Sequence, residues 1–273
     1  MISVVVPTRD RPDALARCLA ALARQRAGEV ELEVIVVDDS DGGGAVAPGA
    51  RIVPAGGRGP AAARNLGARA ARGNIVCFTD DDCAPAPDWA RRLAGACADG
   101  GAAAGTTIAD PDAGPAAAAA QLLTNTLMLS TRTPAGGGGA TLGFAPTCNL
   151  ACDADTLRAV PFDESFALAA GEDRDWCARL VASGRPLHHV PGAAVVHRPT
   201  LGVTGLVRQQ ARYGRGAVGF RDAGGALAGA GFYRSLARAT AAAGPRTAAC
   251  VALAQASVLA GAVLAVAEQR LAR

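Results

Sequence analysis

Short apolar runs that stop abruptly at acids set the architecture of this chain. Ile2 to Val6 is continuous and largely β-branched, "LEVIVVDD" repeats the pattern, and "NIVCFT" repeats it again. Unbroken apolar runs of this length describe strands buried on both faces, as parallel sheets require. Between them the spacing turns helical. Pro12 suits a first helical turn, and Leu15, Cys18, Leu19 and Leu22 follow on one face. "GPAAARNLGARAARG" reads as a helix with Pro60 in its first turn and Gly73 as its stop, and Arg51 to Pro54 as a short strand before it. Strand alternating with helix means an α/β fold with a mostly parallel sheet. In such sheets ligands bind beyond the carboxyl ends of the strands. Thr8 to Asp10, Asp38 to Ser40 and Asp80 to Asp82 all lie there, so these polar clusters are expected to share one crevice.

Further along, a helix is expected from about Asp88 to Asp99 and a strand near Ala102 to Thr107. "PAAAAAQLLTNTLMLS" reads as helix, and "TPAGGGGATLG" as a mobile loop, a lid or a linker. "TCNLAC" is strand-like. "GEDRDWCARLVASG" is a helix with an acidic start, Gly184 at its end, and Trp176, Cys177 and Leu180 on its apolar face. "PLHHV" and "AAVVHR" read as two strands. Helices are expected near 203–213 and 226–243. Thr247 to Ala267 carries no charge over 21 residues, long enough to cross a bilayer, yet it is rich in alanine and holds Gln255 and Ser257. It is either a buried or interfacial helix or a membrane contact. Arginines crowd its upstream side, which would keep that side cytoplasmic.

Composition excludes several chemistries. All 27 basic residues are arginine, so a Walker-type phosphate loop and any Schiff-base mechanism lack their lysine. A net charge of +3 is no nucleic-acid footprint. The eight cysteines form no C-x-x-C pair, and with only His188, His189 and His197 beside them no zinc-finger spacing can be assembled. They read as small buried hydrophobes of a reducing cytosol. The opening "MISVVVPTRD" turns polar too early for a signal peptide, so a cytoplasmic protein is expected, peripheral or C-terminally anchored at the membrane.

Asp80, Asp81 and Asp82 stand side by side past a strand, where they repel one another. Either water screens them on a turn that caps the next helix, or a cation holds them. Mg²⁺ or Mn²⁺ prefers oxygen ligands and is commonly held by one or two carboxylates plus substrate phosphates. Such an ion neutralises a departing diphosphate.

Here the chain resembles a known family. "SVVVPTRDRPDALARCLAAL", "VIVVDDSDG", "GPAAARNLGARAARGNIVCFTDDDCAP" and "GEDRDWCARL" are similar, in order and approximate spacing, to the family 2 glycosyltransferases, over roughly residues 1 to 200. The resemblance implies a GT-A fold: an α/β domain with a mostly parallel central sheet flanked by helices, here with a C-terminal helical extension. It implies a nucleotide-sugar-binding half at 1–107 and an acceptor-binding half at 108–200; beyond the resemblance, 201–273 is expected to be a C-terminal helical region with a membrane contact through 247–267. Residue by residue, Pro7, Thr8 and Arg9 match the strand end that borders the nucleotide base. Asp38 matches the aspartate that reads the base edge, with Asp39 beside it, and Arg64 an arginine near base or diphosphate. Asp80 and Asp82 match the D-x-D motif, which implies both as carboxylates of the metal site. Asp82 is the implied direct metal ligand, with Asp80 or Asp81 near the ribose. A histidine such as His197 completes the metal or diphosphate site in part of the family, and Asn149 matches an asparagine near the donor or acceptor sugar. Glu172 and Asp173 match the E-D motif that supplies the general base, Asp173 ahead of Glu172. "QQARYGRG" places Gln209, Arg212 and Tyr213 in a Q-x-x-R-Y arrangement similar to the Q-x-x-R-W of processive members, with tyrosine for tryptophan.

The implied reaction is an inverting transfer of a sugar from a nucleotide-diphosphate sugar to an acceptor hydroxyl, with Mg²⁺ or Mn²⁺ as cofactor. The acceptor would be a glycan, a lipid-linked molecule or a small metabolite, in cell-envelope or secondary-metabolite synthesis, and nucleic acid is no partner. Two other readings are a catalytically silent sugar-nucleotide or glycan binding module and a sugar nucleotidyltransferase. The latter would want a glycine-rich signature and a lysine near the N-terminus.

Overall fold

The computed structural model describes residues 1–26, 28, 30–98, 100–166, 170–222 and 229–271. In chain order the first elements are β1 (Ile2–Thr8), α1 (Pro12–Leu22), β2 (Leu32–Asp38), β3 (Arg51–Pro54), α2 (Pro60–Ala70), β4 (Ile75–Phe78), β5 (Cys83–Pro85), α3 (Trp89–Ala96) and β6 (Ala102–Ala109). There follow α4 (Pro115–Ser130), β7 (Thr133–Pro134), β8 (Ala140–Thr141), β9 (Leu150–Asp153), α5 (Ala154–Ala159), α6 (Glu172–Ala182), β10 (Leu187–His197), α7 (Val203–Asp222), α8 (Ala230–Ala242) and α9 (Pro245–Leu271). The chain divides into two compact units. One comprises Met1–Ile108 and Arg132–His197, the other Ala109–Thr131 and Arg198–Arg273.

The first unit is built on a sheet of order β3-β2-β1-β4-β9-β6-β10-β8-β7, with β5 paired to β10. The strands β3, β2, β1 and β4 are mutually parallel, and β9 runs antiparallel to β4 and β6. Register sets Thr8 beside Asp38, so the polar tips of β1 and β2 are neighbours. Pro7 is tolerated because pairing to β4 ends at Val5, beyond which a proline needs no N–H on that side.

Both faces of the parallel strands are covered, as their unbroken apolar runs require. Val4, Val6, Val36 and Cys77 meet Leu15, Cys18 and Leu22 of α1 and Trp89 and Leu93 of α3 in one cluster. Alternation turns Val5 and Val37 to the other face, where α2 lies so close that a Cβ on Gly67 would stand 2.3 Å from a Val5 methyl. Gly67→Ala would overpack this contact, at about 1–3 kcal/mol. α2 ends where Ala71 turns extended. This close seating places Arg64, in its middle, beneath the strand tips.

The second unit packs α4, α7, α8 and α9 around Ala119, Leu123, Leu206, Leu236, Val251 and Ala254.

Several expectations change in detail. "PLHHV" and "AAVVHR" are one continuous strand, β10, that passes through the exposed Pro191 and Gly192. The glycine run is the tip of a hairpin in which Thr133 pairs with Thr141. α3 ends at Ala96, Asp99 lies outside the described residues, and the start of the helix expected at 226 does so too. α7 runs on past 213 to Asp222.

Candidate active site

The three aspartates sit on a tight turn between β4 and β5, closed by the Cys83 N–H donating to the Asp80 carbonyl at 3.1 Å. Each carboxylate has at least one cation beside it. Asp80 Oδ1 is 3.3 Å from Arg64 Nη2. Asp81, fully buried, accepts from the Thr8 hydroxyl at 2.7 Å and pairs with Arg11 Nη2 at 2.7 Å. Asp82 takes Arg11 Nη1 at 3.0 Å on one oxygen and His197 Nε2 at 3.3 Å on the other. Their mutual repulsion is thus offset by two arginines and a histidine brought from distant elements.

Sheet register explains His197. β10 pairs antiparallel with β5, and His197 stands opposite Cys83, one residue from Asp82. Burial disfavours its charged form, but the hydrogen bond to Asp82 and the acids around it lift its pKa to about 9. The same pair holds Asp82 below the ordinary carboxylate range against its burial. Burial pushes Asp81 up to about 6, against the pull of Arg11 and Thr8.

Among the described residues, Asp82, Cys83 and His197 bring ligand atoms within 4.8 Å of one another. Asp80, expected as a ligand, is not in that group; its carboxylate lies on Arg64. The donor set fits a divalent cation. Asp82 could supply a carboxylate oxygen and His197 an imidazole once it yields its proton, while substrate phosphates would complete such a shell. The buried Cys83 thiol is raised well above its usual value, first by its hydrogen bond to Cys148, and stays protonated. A hard oxygen-seeking ion gains little from it.

Arg64 joins this turn to the start of α6. It is buried, and donates Nη1 to Glu172 Oε1 at 3.1 Å while Nη2 reaches Asp80. Its guanidinium carbon lies 6.0 Å from the Phe162 ring centroid. Phe162 stacks in turn on Trp176 of α6, with ring centroids 5.2 Å apart. Asp173 follows Glu172, partly exposed, and feels the charge of Arg64. Burial, then the adjacent Glu172, push Asp173 up to about 7. Asp80 of the strand-tip turn and Glu172 of the E-D pair, more than 90 residues apart in sequence, therefore share one guanidinium.

The β2 tip is spent on its own loop. Asp38 accepts from the Ser40 and Ala45 N–H groups at 3.0 and 2.9 Å, bonds that hold its pKa down despite burial. Asp39 accepts from Gly59 N–H at 3.0 Å, fixing the entry to α2. The Asp10 N–H donates to Ser40 Oγ at 3.2 Å, tying the β1 and β2 tips together. Arg9 reaches out to Asp41 at 3.3 Å. Asn149 adjoins the β4 tip, since its neighbour Leu150 pairs with Phe78, but its side chain is turned inward. It is 1% exposed, its oxygen accepts from Trp89 Nε1 at 2.8 Å, and its amide donates to the Ala193 carbonyl at 3.1 Å. Arg212 belongs to α7 of the second unit, its guanidinium carbon 5.9 Å from the Tyr213 ring centroid.

Arg11 was not anticipated from sequence. The available signal was its place, a cation three residues past the β1 tip and just before the Pro12 helix start, on the edge where the acids were expected to converge. A cleft of about 1050 Å³ bordered by Arg72, Asn74 and Asp153 lies at the other end of β4, away from this chemistry.

Residues 3–153 match the family model described as glycosyl transferase family 2. Over 228 residues, 80% of this chain, it is 30% identical to pre-mycofactocin glycosyltransferase of Mycobacterium tuberculosis, in strains CDC 1551/Oshkosh and ATCC 25618/H37Rv alike. The chain spans about half the length of these curated relatives, 47%. Among solved structures, the mannosyltransferase PcManGT from Pyrobaculum calidifontis, in complex with GDP-Man and Mn²⁺, superposes with a TM-score of 0.58 at 20% identity, covering 99% of this chain and 80% of that one. S. aureus TarS in complex with UDP gives 0.53 at 18% identity, covering 87% of this chain and 70% of that one. At such identities these two likenesses speak for the GT-A fold. The family match extends over more than half of the chain and takes in the β1, β2 and β4 tips with their acids: the chain belongs to glycosyl transferase family 2.

Proposed function

We propose that this protein transfers a hexosyl or related sugar from a nucleotide-diphosphate sugar to an acceptor hydroxyl, with inversion at the anomeric carbon. The observation that carries the reading is Arg64 held between Asp80 and Glu172, which fixes a donor-side acid turn and an acceptor-side carboxylate around one centre.

In this reading Asp82 and His197 would hold a divalent cation, Mg²⁺ or Mn²⁺, and Asp80, the partly exposed one of the other two acids, borders the donor's ribose, while the fully buried Asp81 supports the turn from behind. The ion, when bound, neutralises the diphosphate, which an all-carboxylate turn would otherwise repel. Thr8 and Arg11 hold Asp81 in place, while Pro7, Arg9, Asp38 and Asp39 shape the wall for the base. Asp38 does so through the 40–45 loop that it ties down. Asp173 takes the acceptor hydroxyl proton onto its carboxylate. The acceptor oxygen forms its bond to the anomeric carbon from the face opposite the diphosphate. The bond from that carbon to the diphosphate oxygen breaks, and the nucleoside diphosphate leaves with the electron pair. A carboxylate with a pKa near 7 is well matched to this work, because about half of it is deprotonated at neutral pH and it is basic enough to accept a proton. Glu172, locked on Arg64, positions the helix start and is second to Asp173 as base.

PcManGT holds GDP-Man and TarS holds UDP, so guanosine and uridine diphosphate sugars are the donors to try first. Pre-mycofactocin, named for the curated relative, is one acceptor to test.

The test pairs binding with turnover. Donor binding is read by thermal shift with nucleotide-diphosphate sugars plus Mn²⁺, since a ligand that binds only the native state raises its melting temperature. Asp173→Asn is expected to keep that shift and lose turnover by at least about a hundredfold. Undiminished turnover in Asp173→Asn removes the base assignment. A wild-type shift with no turnover on any acceptor favours the silent binding module instead.

A further inference from the structure

The second unit ends in a helix that is apolar all round. α9 buries Cys250, Val251, Ala254, Ser257 and Gly261 against its own unit. The opposite face is exposed and uninterrupted: Leu253, Ala256, Leu259, Ala260, Val263 and Leu264 recur at three- and four-residue spacing. Leu259, Val263 and Leu264 are 67%, 59% and 52% exposed. A soluble surface helix carries charge on that side, and here none occurs between Arg246 and Glu268. By length and mean hydropathy, 2.1 over its best window, α9 qualifies as a membrane span.

Its neighbour decides against spanning. α7 lies against α9 at backbone contact. An added Cβ on Gly214 would stand 2.0 Å from the Val258 carbonyl oxygen, and one on Gly261 would stand 1.9 Å from that of Ala211. Val258 is at the middle of the uncharged stretch. α7 therefore holds Arg212 and Arg215 within a turn of that level, and Arg208 less than two turns away. If α9 spanned a bilayer, α7 would be drawn in beside it. Each guanidinium taken to mid-bilayer is disfavoured about a hundredfold. Arg215 is moreover tied to Glu268 at 2.8 Å. An apolar face on one side and a charged helix packed on the other suit a helix lying flat at an interface.

We propose that the exposed face of α9 seats the protein in the plane of an anionic lipid bilayer, entering the acyl boundary without crossing it. The choice of occupant rests on charge. This unit carries ten arginines against four acids, whereas the first unit is net acidic. Arg234, Arg238, Arg246 and Arg270 are exposed on α8 and at the two ends of α9, where they can reach lipid phosphates while the apolar face is immersed. A second copy of this chain, carrying the same positive charge, is the poorer match for that rim.

Vesicle flotation of the full chain tests this directly. Binding to phosphatidylcholine vesicles containing phosphatidylglycerol should exceed that to phosphatidylcholine alone by at least about tenfold. The pair Leu259→Glu and Leu264→Glu, on positions already in solvent, should abolish flotation while leaving the melting temperature unchanged. In inverted membrane vesicles from the expressing cells, Arg246→Cys and Arg270→Cys should both react with an impermeant maleimide. The eight native cysteines are all buried and contribute little background. Modification at one end of α9 alone would mean that it spans. No flotation, or a dimer in solution that Leu259→Glu dissociates without any vesicle binding, would overturn the proposal.

Discussion

Arg64 donates to Glu172 across 3.1 Å in a place where both side chains are almost wholly out of water, 6% and 7% exposed. Removing one partner of a buried ion pair leaves the other uncompensated, at about 3–5 kcal/mol. Arg64→Met should lose stability on that scale in urea unfolding. The double variant with Glu172→Gln should recover part of it, because it removes the stranded carboxylate as well as its partner. Arg64 also pulls down the pKa of Asp173. Where Arg64→Met still turns over, its pH–rate limb should shift to higher pH.

Asp173 gives two pH readouts of opposite sense. As a base it works deprotonated, so kcat/KM should rise with pH and level off above about 7. Stability runs the other way. Burial and Glu172 raise its folded pKa from 3.8 to about 7, so the folded state binds the proton more tightly than the unfolded chain does. The stability this contributes is full below about pH 4 and is lost as pH rises through 7. Asp173→Asn mimics the protonated form. It should therefore melt higher than wild type at pH 8, with the gap closing towards pH 4, which a melting series across that range reads directly.

Asn149 separates packing from recognition. Family resemblance sets it near a sugar, but its side-chain oxygen and amide are engaged by Trp89 and the Ala193 carbonyl inside the first unit. Asn149→Ala strands the Trp89 N–H and that carbonyl, at about 1–3 kcal/mol for each buried group left unpaired. Unfolding should move by that order while the KM for donor stays within about twofold of wild type. A large KM change with unaltered stability would return Asn149 to the sugar site.

The legible parts of this molecule are those where one physical cause acts locally. β1 and β2 could be read because burial on both faces leaves no polar residue between Val4 and Val6 or between Val34 and Val37. The meeting of their tips followed from parallel topology alone. α6 announced itself through Trp176, Cys177 and Leu180 on one face and acids in its first turn. Long-range pairing had no such mark. β5 is three residues long and exists because β10 runs beside it, and its tie to His197 could not be seen in either segment. Pro191–Gly192 reads as a break, yet both residues are exposed and the strand continues through them. The Arg64 bridge joins segments 108 residues apart, and nothing near "AARN" says that the arginine faces two carboxylates rather than a base.

Arg11 supplies the last test. Its guanidinium spans Asp81 and Asp82, and Asp81 Oδ1 has no exposure to water with which to replace it. In Arg11→Gln the buried carboxylate keeps Thr8 but loses its counter-charge, while Asp82 keeps His197. The metal-free protein should be less stable by about 1–3 kcal/mol, the scale for a buried polar group left short of a partner. A cation bound at Asp82 would restore positive charge to the same turn, so Mn²⁺ alone, without nucleotide, should raise the melting temperature of Arg11→Gln more than that of wild type. Thermal shift in EDTA and in Mn²⁺ measures both effects. If Mn²⁺ raises the two proteins equally, Arg11 and the ion do not act on the same acids, and the metal would have to be sought away from Asp82.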